Sequence, residues 1–261
     1  MDDNDRFYVC DRLNYRIQRY LSGATNGTTV AGASAGVNAS SIDHVQYLAL
    51  DKLGNMYVTG NIRDDVLKIP FNSLIATTVA GGNTSGTTNN LLSNPTDMVV
   101  DNDFNLYVVD ASNRRIMKWA PNATIGIVVI SNLPSSRVVG ILFARNSTNA
   151  FYLSDEINDC IYLWTAGLSS PDITLSQVSS AQSTLNTPHG IIHDIYYNLY
   201  VVDSNNNRVV LYCANSTVGY PIIGESGSTP ALSSPLDIAF DSNFNLYVVL
   251  RIDKVIKYSR F

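Results

Sequence analysis

Residues 95–130 show the grammar of the chain. Pro95-Thr-Asp-Met-Val-Val-Asp101 is a short apolar run that ends in an acid. Asn102-Asp-Phe-Asn105 follows, built from residues whose short side chains bond their own backbone and tolerate left-handed conformations. Leu106-Tyr-Val-Val-Asp110 is apolar on both faces, with Tyr107 and Val109 on one side and Leu106 and Val108 on the other. After a second turn at 111–114, Arg115-Ile-Met-Lys-Trp119 alternates as a half-exposed strand does. Residues 125–130 complete the set. The pattern predicts four short antiparallel strands, a to d, with d expected furthest from the core and c more polar than b.

The b line recurs six times, with tyrosines at Tyr8, Tyr57, Tyr107, Tyr152, Tyr200 and Tyr247, spaced 49, 50, 45, 48 and 47 residues apart. Self-similarity at roughly 40–50 residues marks a propeller or solenoid. A sheet with one wet face alternates polar and apolar positions. A strand apolar on both faces must lie between two neighbouring sheets, and radial packing of four-stranded blades provides that while leaving only short edges. The expected fold is all-β, a single domain over 1–261: a six-bladed β-propeller.

The repeat resembles the NHL repeat of six-bladed propellers. The residues that carry the resemblance are Pro188-His-Gly-Ile-Ile-His-Asp194, Asn198-Leu-Tyr-Val-Val-Asp203, Asn206-Asn-Arg208-Val and, in the last unit, Pro235-Leu-Asp-Ile-Ala-Phe-Asp241. WD and kelch signatures are absent.

Laid in register, Met1-Asp2 falls on Val100-Asp101, and residues 254–258 form strand c of the sixth unit. Strand a of blade one and strand d of blade six are not encoded. Unpaired strand edges recruit other chains. The expectation is a fragment of a longer protein, or a seam filled by a partner or by a strand-exchanged second copy.

Composition narrows the function classes. Charged residues make up 15% of the 261 residues, below the usual roughly 25%. Net charge is −5, whereas nucleic-acid surfaces are basic, so RNA binding is disfavoured. No apolar stretch reaches the about 18 residues of a membrane span. Cys10, Cys160 and Cys213 lie in three different repeats and read as small buried thiols. Sequons at Asn26, Asn38, Asn83, Asn122, Asn146 and Asn215 tilt the reading toward a glycosylated extracellular domain.

The recurrent polar pattern is Asp-x-x-Asn-x-Arg: Asp11/Asn14/Arg16, Asp110/Asn113/Arg115 and Asp203/Asn206/Arg208. An acid closing strand b and an arginine opening strand c can form a fork, and a motif repeated around a ring reads as scaffold. Positions that break the pattern are candidate chemistry. His189 follows Pro188 where other repeats carry Gln46, Thr96, Val139 and Leu236. Asp97 and Asp237 stand one residue further along strand a.

The resemblance brings in two enzyme classes. Peptide-amidating lyases of this fold hold zinc through three histidines, but here only His44, His189 and His193 exist and only His189 has an inner position. Calcium-dependent lactonases use acidic and Asn ligands, for which Asp97 and Asp237 are the weak candidates. No cofactor is implied by the residues themselves. The leading expectation is a non-catalytic scaffold that binds protein or peptide partners through a loop face. The d-to-a loops are expected on one face, and the b-to-c turns with the a-to-b aromatics Phe104, Tyr196, Tyr197 and Phe244 on the other.

Overall fold

The computed structural model describes all residues except 3, 33–41, 43, 44, 61, 74, 83, 146, 225–231, 253, 260 and 261. Two compact units, Met1–Ser136 and Arg137–Phe261, carry three antiparallel sheets each. The fold is all-β, a six-bladed β-propeller. A 3-10 turn at Arg12–Asn14 is the one helical element among the described residues.

In the first unit, sheet one holds β1 (Phe7–Asp11), β2 (Arg16–Tyr20) and β3 (Thr28–Gly32). Sheet two holds β4 (Val45–Leu50), β5 (Met56–Gly60), β6 (Asp65–Ile69) and β7 (Thr77–Gly81). Sheet three holds β8 (Pro95–Val100), β9 (Leu106–Asp110), β10 (Arg115–Trp119) and β11 (Ile127–Ile130). In the second unit, sheet four holds β12 (Val138–Phe143), β13 (Ala150–Asp155), β14 (Cys160–Thr165) and β15 (Ile173–Leu175). Sheet five holds β17 (Pro188–His193), β18 (Leu199–Asp203), β19 (Arg208–Tyr212) and β20 (Val218–Ile223). A two-residue strand, β16 (Gln177–Val178), extends it by pairing parallel to β20, an addition the repeat does not announce. Sheet six holds β21 (Pro235–Phe240), β22 (Leu246–Leu250) and β23 (Lys254–Tyr258). Among the described residues, sheets one and six have three strands, without a and d respectively, as the register predicts.

The apolar layers lie between neighbouring sheets. Tyr57, Val66, Leu92, Met98, Val108, Met117 and Trp119 fill the space between sheets two and three. Val202, Val209, Ile238, Leu246 and Val248 do the same between sheets five and six. Every residue of β9 is buried, whereas all five residues of β1 are half-buried. Strand c differs from expectation. In β10 only Lys118 keeps partial exposure, because Arg115 is buried by its own bonds and β11 takes the solvent-facing role. The thiols differ too: Cys160 is buried, Cys10 half-buried and Cys213 exposed, since Cys213 lies beyond the end of β19. Burial pushes the Cys160 thiol up to about 11.

The line repeated six times owes its tyrosine to a polar network. Asp51, Asp101, Asp194 and Asp241 each accept the amide of the residue two places on. Each also accepts the amide four places on, from Asn55, Asn105, Asn198 or Asn245. The side-chain amides of those asparagines bond the second oxygen. The tyrosine hydroxyls of Tyr57, Tyr107, Tyr200 and Tyr247 then donate to the same carboxylates at 3.2–3.3 Å. Burial and the adjacent Asp194 push the Tyr200 hydroxyl up to about 12. In sheet one Arg6 replaces the asparagine, bonding Asp2 through Nε, and Tyr8 donates to Asp2 at 3.0 Å. Sheet four has Ala144 in place of the acid.

Candidate functional site

The a strands of sheets two to six carry a register shift near their start, between Val45 and Tyr47, Pro95 and Met98, Val138 and Gly140, Pro188 and Ile191, and Pro235 and Asp237. A β-bulge re-aims the side chain it contains. Gln46, Thr96, Val139, His189 and Leu236 all sit in these bulges. His189 is therefore turned off the plane of its sheet, and its Nε2 lies 3.1 Å from Glu156 Oε2.

Glu156 is placed by its own turn. Asp155, closing β13, accepts the amides of Ile157 and Asn158 on Oδ1 and the Asn158 side chain on Oδ2. That locks the b-to-c turn and leaves Glu156 facing β17. Arg137 closes the arrangement, bonding Glu156 Oε1 through Nε and Nη2 while its carbonyl accepts the Glu156 amide at 3.2 Å. The Glu156 side chain is 7% exposed and that of His189 14%. Burial acts to raise the Glu156 carboxyl, but the His189 hydrogen bond and the Arg137 charge outweigh it and hold the carboxyl below its ordinary value. Thr187 precedes Pro188 with φ of 54°, a left-handed conformation that costs a β-branched residue dearly. Asp159 secures it by accepting the Thr187 amide at 2.7 Å.

Arg137, Glu156, Ile157, Thr187, His189 and Arg251 border an open cleft of about 480 Å³ within the second unit. The lining is net positive, two arginines against one carboxylate. Arg251 is exposed and has no ion pair among the described residues. Ile157 at 59% and Ile252 at 60% exposure stand at equivalent turn positions.

This cleft joins turn types expected on opposite faces. Arg137 and Thr187 come from d-to-a segments, whereas Glu156, Ile157 and Arg251 come from b-to-c turns. Parity is the reason. Four antiparallel strands reverse direction three times, so the chain leaves strand d at the end where b passes into c. The bonds from Asn113 and Arg115 to the carbonyls of Gly86, Thr87, Thr88 and Leu91 make the same point in the first unit. The a-to-b aromatics occupy the other end. Phe104, Tyr197 and Phe244 have φ of 60–64° and are half-buried. Phe104 lies under Lys52 at 4.8 Å, and Tyr197 under Arg145 at 4.8 Å. Tyr196 is 72% exposed.

The other candidates do not converge. Asp97, in the first unit, accepts the Met98 amide at 2.9 Å. Asp237, in the second, accepts the Ile238 amide at 2.9 Å. Asp237 is open to solvent on one side yet hemmed in by protein elsewhere, and lost hydration pushes its carboxyl upward. Gly190 permits that crowding, since a Cβ there would stand 2.3 Å from Asp237 Oδ1. His193 packs on Tyr197 with ring centroids 5.3 Å apart and its Nδ1 3.2 Å from the Asp194 carbonyl. His44 lies outside the described residues. Among the described residues no group of three or more His, Cys, Asp or Glu could hold a metal ion, and no helix is long and apolar enough to cross a membrane. Of the sequons, Asn26, Asn122 and Asn215 are exposed, while Asn38, Asn83 and Asn146 lie outside the described residues.

Glu156 and Arg137 were not singled out by sequence reasoning. The signal available was Glu156 itself, the single acid at a turn position filled by Arg12, Asn61, Ala111, Ser204 and Arg251 elsewhere.

No protein-family model and no curated protein matches the chain. Solved structures do. The chain is similar to virginiamycin B lyase from Staphylococcus aureus, with a TM-score of 0.64 and 15% identity over 100% of this chain and 79% of that one. An auxiliary nutrient binding protein from Bacteroides thetaiotaomicron matches with a TM-score of 0.72 and 13% identity over 98% of this chain and 67% of that one. A chain of a nidogen/laminin complex matches with a TM-score of 0.65 and 16% identity over 95% and 91%. At these identities the likeness is one of fold, and it places the chain among the β-propellers.

Proposed function

We propose that the chain is a non-catalytic interaction module that takes an acidic protein or peptide segment on its d-to-a and b-to-c face, in the cleft bordered by Arg137 and Arg251. One observation carries the reading: an exposed Arg251, without an ion pair among the described residues, at an open cleft, with Ile157 and Ile252 also exposed. Arginine with adjacent apolar surface is the composition of interface anchors. It stands out in a chain of net charge −5. The test compares fluorescent peptides that carry either Glu or Gln between aliphatic residues. The Glu peptides are expected to bind at least about tenfold more tightly, which corresponds to about 1.4 kcal/mol. Arg251→Glu is expected to erase the difference. Equal binding of Glu and Gln peptides would sink the reading.

A second reading is supported by the Glu156–His189 pair, since a carboxylate-held imidazole at a cleft can act as a general base. The likeness to virginiamycin B lyase, solved also as a catalytically inactive histidine-to-alanine variant, belongs to this reading. It requires turnover of an ester or lactone substrate that His189→Ala abolishes.

A further inference from the structure

The turn from strand c to strand d is shaped by the ring that closes strand c. Gly27, Gly126 and Gly219 occupy equivalent positions, each one residue before the ladder partner of Arg19, Lys118 or Leu211. A Cβ on Gly27 would stand 2.7 Å from Tyr20 Cζ. On Gly126 it would stand 2.7 Å from Trp119 Cε2, and on Gly219 2.8 Å from Tyr212 Cζ. Glycine lets the backbone cross the ring in these three sheets. Sheet two ends β6 on Ile69 and carries Ala76 at the crossing. In sheet four the Trp164 indole bonds the Leu168 carbonyl instead, and Asp172 takes the position.

The residue before the crossing faces solvent. Ile75, Ile125 and Val218 stand there in sheets two, three and five, and are 71%, 62% and 39% exposed. Sheet one puts Asn26 there, also exposed, in a bend outside the strands. The exposure is therefore a property of the turn and not of sheet one alone. Asn26-Gly27 is the single Asn-Gly pair in the 261 residues. The asparagines that follow strand a are held by carboxylates: Asn55, Asn105, Asn198 and Asn245 each donate a side-chain amide to an aspartate. The Asn26 side chain makes no hydrogen bond among the described residues. Gly27 precedes the first ladder pair, Arg19 with Thr28, so its amide lies outside the β2–β3 ladder.

We infer that Asn26 is a site of spontaneous covalent modification, in which the Gly27 backbone converts its amide to aspartate and isoaspartate. The deprotonated Gly27 nitrogen attacks Asn26 Cγ. The N–Cγ bond forms, the Cγ–Nδ2 bond breaks, and the side-chain nitrogen leaves as ammonia, taking up a proton from water. Water then opens the succinimide ring at either carbonyl. One opening gives aspartate, and the other gives isoaspartate, whose main chain runs through the former side chain. The reaction is a hydrolysis and needs no oxidant or cofactor. A glycine nitrogen is unobstructed, and its backbone turns freely into the ring-closing conformation. The product carries one more negative charge, and isoaspartate adds one main-chain carbon just ahead of β3, the outer strand of its sheet. The lability is built into the fold: packing on Tyr20 requires the glycine, and the turn exposes the asparagine before it.

The test uses the full unglycosylated chain, held in mildly alkaline buffer at body temperature and sampled over days. Peptide mapping by mass spectrometry reads the loss of each asparagine amide, and enzymatic methylation of isoaspartate reads the product. Asn26 is expected to lose its amide at least about tenfold faster than Asn122 and Asn215, a barrier lower by about 1.4 kcal/mol. Those two are exposed in the corresponding turns but precede Ala123 and Ser216. Amide exchange across Thr28–Gly32 is expected to quicken in the aged chain and to stay unchanged in aged Asn26→Gln. Near-ultraviolet circular dichroism checks that the variant folds. Loss at Asn26 no faster than at Asn122 and Asn215, or an undiminished isoaspartate yield in Asn26→Gln, overturns the inference. Isoaspartate at Asn26 with exchange in β3 unchanged overturns its structural consequence.

Discussion

Sheets one and three contain the same acid, amide and arginine in the same order, yet of the two only sheet three buries its acid and arginine. In sheet three Asp110 is fully buried and Arg115 nearly so, because four carbonyls and one amide from a preceding loop saturate the fork. In sheet one the pair stays part-exposed and turns to Gln18. The lesson is that the fork is not stabilising by itself. A buried ion pair is tolerated only when its remaining donors and acceptors are satisfied, and here backbone from outside the hairpin does that.

The largest expected effect separates the two forks. Arg115→Ala strands a buried carboxylate and three carbonyls, and should cost about 3–5 kcal/mol in denaturant unfolding. Arg16→Ala removes a part-exposed pair and should cost about 1 kcal/mol or less. Equal losses would break the comparison. A smaller contrast concerns the tyrosine anchor. Tyr107→Phe loses the hydroxyl bond to Asp101 and should cost about 0.5–1.5 kcal/mol. Tyr152→Phe, in the sheet where Ala144 replaces the acid, should cost less by the same measurement.

The smallest effect is a pH dependence. In Asp2 and Asp241 burial acts to raise the carboxyl, but bonds from Arg6 and Asn4, or from Asn245, Lys257 and Tyr247, outweigh it and hold the carboxyl below its ordinary value. A carboxyl depressed in the folded state contributes stability that is fully present above its unfolded value, about 3.9, and is lost as pH falls through the folded value. Amide exchange of Asn4, Arg6, Asn243 and Asn245 should therefore quicken below about pH 4. The Ala144 turn, which has no such acid, should not respond at that step.

Much of the fold was legible because it is periodic. The tyrosine spacing located every b strand, and the two-sided apolar pattern required flanking sheets, which the layers around Val108 and Val248 supply. Register alone also revealed that the first and last sheets would have three strands. The candidate site was less legible. His189 stood out as the odd residue after a proline, but its partner Glu156 lies in another sheet, and no local pattern connects residues that far apart in sequence. The division of turns between faces follows from the number of chain reversals in a blade and not from any residue pattern. The burial of Arg115 was not legible because the groups that bury it are carbonyls, which no side-chain pattern displays.

The sequence by itself determined the repeat, the strand positions, the three-stranded first and last sheets and the recurrence of the fork, since each follows from local alternation and turn chemistry. Only the tertiary structure decided that bulges aim His189 at Glu156, that Arg137 and Arg251 share one cleft, and that loop carbonyls bury Arg115 while Arg16 turns to Gln18. Those facts depend on which backbone groups meet across sheets, and hydrogen bonding between distant segments leaves no periodic trace in the residues that take part.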